Sequence, residues 1–393
     1  MLRAGHGLIL VVLALLMFGV VMINSAGLSV SAEDGITLQR VLTSRSTLYA
    51  AVAVAALLVA SRIPVDQMYT ARGVHSPIPW IVLGMFILMA LVHVPGLARE
   101  VNGSARWLSI GGLSIQPSEA AKWGMIIVLA WYGARHAGEM HRLMVGFFPT
   151  LWFVGAVCVL IALEDLGTAV LIGAVAMLIL LASGVRLWQA LLAAPAGVAF
   201  FAAMVIQSPY RLQRLMAYLD PYQDPQGIGY HIIQSMSAVA GGGIAGRGLG
   251  NGVRKFGYLP EDTTDFIFAI ICEELGVFGA AFVLFLYAAL LLSAFLVVRR
   301  QAHPFLRLLG TGVMLTIGLQ AAINIAVVSG VAPTKGIALP LLSHGGTGWV
   351  LTAFSIGLLV SMDRAQNRRD VAAPACLTNE VRIESIPATA APA

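Results

Sequence analysis

The chain alternates between long apolar runs and short polar breaks. A hydrocarbon core about 30 Å thick needs roughly 20 apolar residues per spanning helix. Ten stretches meet or approach that length, roughly 7–24, 47–61, 79–97, 117–134, 146–164, 166–184, 187–206, 274–298, 306–329 and 337–361. The first follows Arg3 and could pass for a signal peptide. Its apolar part, Leu8 to Ile23, exceeds the usual signal core of about 7–15 residues, and no clear small-residue cleavage site follows, so a retained helix is expected. Two stretches break the pattern. The segment from Gln207 to about Thr264 spans no membrane yet carries Tyr210, Leu212, Leu215, Tyr218, Tyr222, Tyr230, Ile232, Ile233, Phe256 and Tyr258, with an amphipathic helix expected at Tyr230–Val239. The tail 371–393 is Ala/Pro-rich and is expected to be disordered.

Composition agrees with the pattern. Hydrophobic residues make up 59% of the 393 and charged residues 11%, against about 25% charged in soluble domains. That excludes a water-soluble enzyme, a disulfide scaffold and a disordered chain. The expected architecture is an all-α polytopic membrane protein of ten transmembrane helices, with a large extracytoplasmic loop between the seventh and eighth. Cys158, Cys272 and Cys376 lie far apart and suggest neither a zinc site nor a disulfide frame.

An even number of spans puts both termini on one side. With that side cytoplasmic, its segments hold 13 of the 24 Lys and Arg residues, and the short loops obey the positive-inside rule. The net charge of +5 therefore reflects orientation and implies no nucleic acid. Many remaining basic residues fall in the outer segments 98–122 and 207–264. Arg211, Arg214, Arg247, Arg254 and Lys255 form a set suited either to a phosphorylated substrate or to anionic lipid headgroups. Gly241–Gly246 fits G-x-G-x-x-G, but no βαβ unit surrounds it, and 41 glycines make chance matches expected.

Ionisable residues at the edges of the spans are the candidate chemistry. Glu119 and Lys122 follow Pro117-Ser118 at i, i+3 and can pair, either as a structural ion pair or as the polar wall of a cavity. Glu164 and Asp165 sit in a tight hairpin, where Asp165 reads first as a helix cap. Asp265 precedes Phe266-Ile267-Phe268. There it is either an N-cap or a partly desolvated carboxylate tuned toward a general base. The stretch Asp265–Glu273 is expected to continue the eighth helix outward, which places Glu274 about half a turn away from Asp265 on a straight helix. No H-E-x-x-H, P-loop, kinase set or G-x-S-x-G appears.

The stretches NGSARWLSIGGLSIQPSEAAK (102–122), DLGTAV (165–170), RLQRLMAYLDP (211–221), GYHIIQSMSAVAGGGIAGRGLGNGVRKFGYLPEDTTDFIFAIICEELG (229–276) and APTKGIALPLLSHGGTG (332–348) together resemble the SEDS family, typified by FtsW, RodA and SpoVE. The resemblance covers nearly all of residues 1–370, leaving the tail outside it. It implies a peptidoglycan glycosyltransferase of the bacterial cytoplasmic membrane that polymerises lipid II at the outer face. It also implies a partnership with a cognate class B penicillin-binding protein, and other divisome proteins beside it. In the family motif the Asp of T-D-F-I-F is held essential, which is Asp265 here. An inverting displacement needs one base and a stabilised pyrophosphate leaving group. Asp265 would take the acceptor hydroxyl's proton, and Arg106, Arg211, Arg214 or Lys255 would meet the pyrophosphate. Glu119, Lys122, Asp165, Gln234, Lys335 and Ser343 fall in the matched motifs and are assigned with them to the substrate cavity. A divalent cation, magnesium or manganese, could assist, and no other cofactor is implied. The P-T-K-G at Pro333–Gly336 favours the division-type branch over RodA.

Three departures qualify the match. S-Y-G-G-S reads Ser343-His344-Gly345-Gly346-Thr347, a frequent proline is Glu164, and P-E-A-H reads Pro260-Glu261-Asp262-Thr263. The missing histidine removes an imidazole from beside Asp265, while Asp262 adds a carboxylate. The competing functions are a lipid flippase and a non-catalytic scaffold. The near absence of charge in the middles of the ten spans argues against a polar path through the bilayer.

Overall fold

The computed structural model describes residues 3–27, 37–71, 75–94, 98–101, 104–110, 113–255, 259 and 263–384. The elements are α1 Ala4–Ala26, α2 Leu38–Leu42, α3 Arg45–Ala60, α4 Gln67–Thr70, α5 Pro77–Leu91, β1 Ala98–Val101, β2 Ser104–Ile110, β3 Leu113–Ile115, α6 Pro117–Arg135, α7 Phe148–Glu164, α8 Leu166–Ser183, α9 Leu187–Ile206, α10 Pro209–Leu219, α11 Tyr230–Gly241, α12 Ile267–Val298, α13 Pro304–Val328 and α14 Thr347–Glu384. A helix answers each of the ten apolar runs. Six of them, α1, α7 with its preceding π turn, α8, α9, α12 and α13, are long and apolar enough to cross a bilayer on those grounds alone, and α3 and α5 are shorter apolar helices. The remaining two, α6 and α14, carry charges within their length. The protein is therefore a polytopic helical membrane protein.

Local chemistry sets the helix starts. Ser44 and Ser76 cap α3 and α5 through their side chains, and proline stands in the first turn of α5, α6, α10 and α13, where its missing N–H has no helical partner to lose. One apolar core joins α1, α3, α6, α8, α12, α13 and α14. Within it α3 packs on α14, α1 on α12, and α13 on both α6 and α8.

The structure departs from the sequence expectations in four places. A three-stranded antiparallel meander, β1-β2-β3, is added to the helices where only a loop was expected, and the third run's helix stops at Leu91. Thr347 Oγ1 ties the sheet to α14 by donating to Ser114 O at 3.3 Å. The last helix starts at Thr347, ten residues later than expected, because 337–346 is held open by side chains described below. Its helix then runs to Glu384, through the first part of the tail expected to be disordered.

The fourth correction concerns α12. It begins at Ile267, so Asp265 lies in the preceding turn, and it is broken at Gly276, where φ is +63°. A break in a span leaves backbone groups without helical partners, and each must be satisfied from elsewhere. The glycine-rich stretch 242–250 does this. Arg247 N donates to Glu273 O at 3.0 Å, Gly248 N to Glu274 O at 2.9 Å, and Val277 N to Gly243 O at 3.1 Å. The glycines permit backbone-on-backbone contact: a Cβ on Gly242 would stand 1.8 Å from Cys272 O. Thus the G-x-G-x-x-G match serves helix packing.

The side chains of Glu273 and Glu274 complete the clamp. Glu273 accepts from Val253 N and Arg254 N, both at 3.1 Å. Glu274 accepts from Gly250 N at 3.1 Å, Ser25 Oγ at 2.5 Å and Lys255 Nζ at 2.8 Å. The Lys255–Glu274 pair is fully buried. Removing one partner of such a pair typically costs about 3–5 kcal/mol.

Gly242→Ala is expected to force this loop off α12 at a cost of at least ~1–3 kcal/mol, the usual range for overpacking. The readout is the thermal midpoint of the purified protein in detergent. A clear fall is expected, and an unchanged midpoint would contradict the clamp.

Candidate functional site

The site forms where the chain between α13 and α14 turns back into the bundle. Ile337, Leu339, Leu341, Leu342 and Ser343 are all buried. A buried non-helical segment needs partners for its polar groups. Gln320 Nε2 donates to Ala338 O at 2.8 Å, and Asn324 Nδ2 donates to Ile337 O at 2.7 Å. Tyr287 Oη donates to Pro340 O, Ser343 Oγ accepts from Leu339 N at 2.8 Å, and Trp349 Nε1 donates to Ser343 O at 2.6 Å. Gln320 stands eight residues before the end of α13, about 12 Å at 1.5 Å per residue, so the segment reaches two turns into the bundle. Leu341 takes φ +63° to make the reversal, a conformation that costs a branched side chain energy and persists only when its surroundings impose it.

This segment gathers four other elements. The same Asn324 Nδ2 donates to Asp265 O at 2.8 Å, and His344 N donates to Thr263 O at 2.8 Å, so both sides of the turn before α12 are tied to it. A Cβ on Gly336 would stand 3.0 Å from Asp265 Oδ2, which places the carboxylate against Gly336, next to Lys335. Lys335 passes close to Gly167 at the start of α8, and its Nζ lies 5.1 Å from the centre of the Phe201 ring on α9. Burial pulls the Lys335 ammonium below its ordinary pKa, and the charge of Asp165 partly restores it. Asp165 caps α8 as expected, accepting from Thr168 N at 3.0 Å and Thr168 Oγ1 at 2.8 Å.

On the opposite wall, Lys122 Nζ bonds Glu119 Oε1 at 2.8 Å and Oε2 at 2.9 Å, and donates to Gln320 Oε1 at 2.8 Å. Its side chain is 2% exposed and that of Glu119 is 15%. Lys122, Gln320 and Ala338 O thus form one chain of hydrogen bonds from α6 into the reversed segment. A pocket open to the surface adjoins this wall, lined by His93, Ser118, Glu164 and Asp165 over Met89, Val92, Leu160 and Ile161. His344 packs edge-on against Tyr49, and burial followed by the nearby Arg45 charge holds its imidazole below the usual range.

Of the sequence-predicted residues, Asp265, Lys335, Asp165, Glu119, Lys122 and Ser343 are brought together by this arrangement. Others are not. Lys255 is taken up by its buried pair with Glu274, a correction to its reading as a pyrophosphate cation. Arg211 is committed to backbone carbonyls, donating to Ala162 O at 2.9 Å, Leu163 O at 3.1 Å and Met204 O at 3.3 Å. Arg214 lies over the Tyr210 ring at 4.5 Å, and Gln234 accepts from Arg254. Arg106 is in β2, with its side chain outside the described residues, as are Glu261, Asp262, Phe256 and Tyr258. Gln320 and Asn324 were missed. The available signal was two carboxamides at i, i+4 inside an otherwise apolar span. Among the described residues no three His, Cys, Asp or Glu side chains converge as a metal cage.

A bundle of membrane helices with a recessed acidic and cationic site at one end defines the class. The family model described as "Cell cycle protein", FTSW_RODA_SPOVE, matches residues 6–368. The chain belongs to this FtsW/RodA/SpoVE family of cell cycle proteins. A relative from Marinobacter nauticus, named "Probable peptidoglycan glycosyltransferase FtsW", is 40% identical over 93% of this chain and 91% of its own length. One of the same name from Geobacter metallireducens is 36% identical over 90% and 93%. A chain from a solved structure described as "Structural coordination of polymerization and crosslinking by a peptidoglycan synthase complex" superposes with TM-score 0.72 at 26% identity, covering 92% of this chain and 97% of that one. The rod shape determining protein RodA of Thermus thermophilus shares the fold, with TM-score 0.62 at 22% identity over 92% of this chain and 96% of RodA.

Proposed function

We propose that this protein is a peptidoglycan glycosyltransferase that polymerises lipid II, with Asp265 as its general base. The observation that carries the reading is the Asp265 carboxylate set against Gly336, one residue from the half-buried Lys335. The relatives' names supply the substrate class. Two charges of opposite sign at one end of the bundle suit a displacement at a lipid-linked sugar. Asp265 takes the proton from the acceptor sugar's hydroxyl as its oxygen attacks the donor's anomeric carbon. The bond from that carbon to the pyrophosphate oxygen breaks, and the Lys335 ammonium meets the charge that develops on the leaving group. Glu119, Lys122 and Asp165 shape the walls, and Ser343 holds the reversed segment. With Lys255 and Arg211 committed elsewhere, Lys335 replaces them as the leading cation.

The site end of the bundle is the outer face of the cytoplasmic membrane in this reading, with both termini cytoplasmic. The work would be done with a class B transpeptidase, as the synthase-complex likeness suggests. The Pro333–Gly336 motif assigns it to septal synthesis among other divisome proteins. The near absence of charge in the middles of the spans, with Glu119, Lys122, Asp165, Asp265 and Lys335 gathered at one end, favours a polymerase over a flippase.

Purified protein with its cognate transpeptidase is expected to make glycan strands from lipid II, and equally folded Asp265→Ala none. Strands from both would leave the activity and remove Asp265 as the base. The pH dependence tests Lys335. Burial favours its neutral form, so the ammonium is lost at a lower pH than that of an exposed lysine, and turnover falls as pH rises through that point. An arginine stays charged there. Lys335→Arg is therefore expected to move the alkaline limb upward, and an unmoved limb would remove Lys335 from the step.

A further inference from the structure

The helix α10 presents its apolar face outward. Leu212, Met216 and Leu219, spaced i, i+4, i+7, are 41%, 53% and 71% exposed. Its inward face carries Arg211, Leu215, which packs on the core, and Tyr218. Gln213 and Asp220 flank the apolar stripe and are exposed as well. The level of this helix is fixed by the Arg211 guanidinium, which donates to the carbonyls of Ala162 and Leu163 at the end of α7 and of Met204 at the end of α9. Both of those helices are candidate spans, so their ends mark the border of the hydrocarbon. The stripe also continues the exposed apolar surface of α9, where Val198 and Ile206 face outward, Ile206 just before α10 begins.

We infer that α10 is an interfacial anchor lying in the plane of the membrane, with Leu212, Met216 and Leu219 in the acyl chains. An outward apolar stripe on a soluble loop would be an aggregation hazard. At the ends of two spans the same stripe finds lipid, with Gln213 and Asp220 left at headgroup level. Such helices sink about 5–10 Å into the headgroup and acyl boundary. The consequence for the site is positional. Tyr218 Oη donates to Val331 O at 2.7 Å, four residues before Lys335, so the anchor holds the start of the reversed segment at a fixed depth. This inference does not depend on the chemistry proposed for the site.

The test uses full-length protein in phosphatidylethanolamine and phosphatidylglycerol liposomes, with Cys158, Cys272 and Cys376 replaced by serine. An environment-sensitive fluorophore is attached at Leu212→Cys, Met216→Cys, Leu219→Cys or Gln213→Cys. The first three are expected to emit to the blue and to be quenched by lipids brominated high on the acyl chain, and Gln213→Cys to remain water-like. Water-like emission at all four overturns the proposal, as does shielding that arises only when the transpeptidase is added. Should the serine replacements impair folding, benzoylphenylalanine at Met216 in the native background gives a second reading. Photolysis is expected to yield lipid adducts, and adducts to protein alone would overturn the anchor.

Discussion

In a hydrocarbon surrounding, a backbone that leaves the helix must find its hydrogen bonds in other parts of the protein. That constraint accounts for most of the polar side chains inside this bundle. The break at Gly276 is satisfied by a glycine-rich strap and by Glu273 and Glu274. The reversal at 337–346 is satisfied by Gln320, Asn324, Tyr287, Ser343 and Trp349. Asp265 precedes both irregular stretches in sequence and lies beside the second in space.

The site follows from this arrangement. Neither Asp265 nor Lys335 belongs to a regular helix, so each depends on the reversed segment for its position. Asn324 binds the two strands of backbone together with one amide, at 2.8 Å to Asp265 O and 2.7 Å to Ile337 O. Lys122 extends the network to α6, and Asp165 brings in α8 while capping it. The Asp265 carboxylate is thereby set against Gly336, while the neighbouring Lys335 side chain runs to α8 and α9.

The spans were legible because apolar length is a strong signal, and Asp265 stood out as a candidate because a carboxylate beside six apolar residues is conspicuous. The motifs at 165–170 and 332–348 picked out two stretches that the structure packs against each other, the second also against Asp265. What sequence did not disclose was how the loop cations are used. Lys255, Arg211 and Arg254 look alike in sequence, and only three-dimensional proximity commits them to Glu274, to carbonyls and to Gln234. The reversed segment was read as the start of a span because Ile337, Leu339, Leu341 and Leu342 are as apolar as any helix, and burial in protein demands the same composition as burial in lipid. The sheet escaped because its strands are short and rest on pairing between neighbours that a run of three to seven residues does not advertise.

The most direct measurement is lipid II polymerisation by Asn324→Ala, with the thermal midpoint taken on the same preparation. Asn324 is buried, and its amide holds Asp265 and Ile337 by their backbone carbonyls. Turnover should fall by about tenfold or more, the scale expected when a reacting group is displaced by about 1 Å, while the protein remains folded. Wild-type turnover from this variant would show that the reversed segment does not position the site.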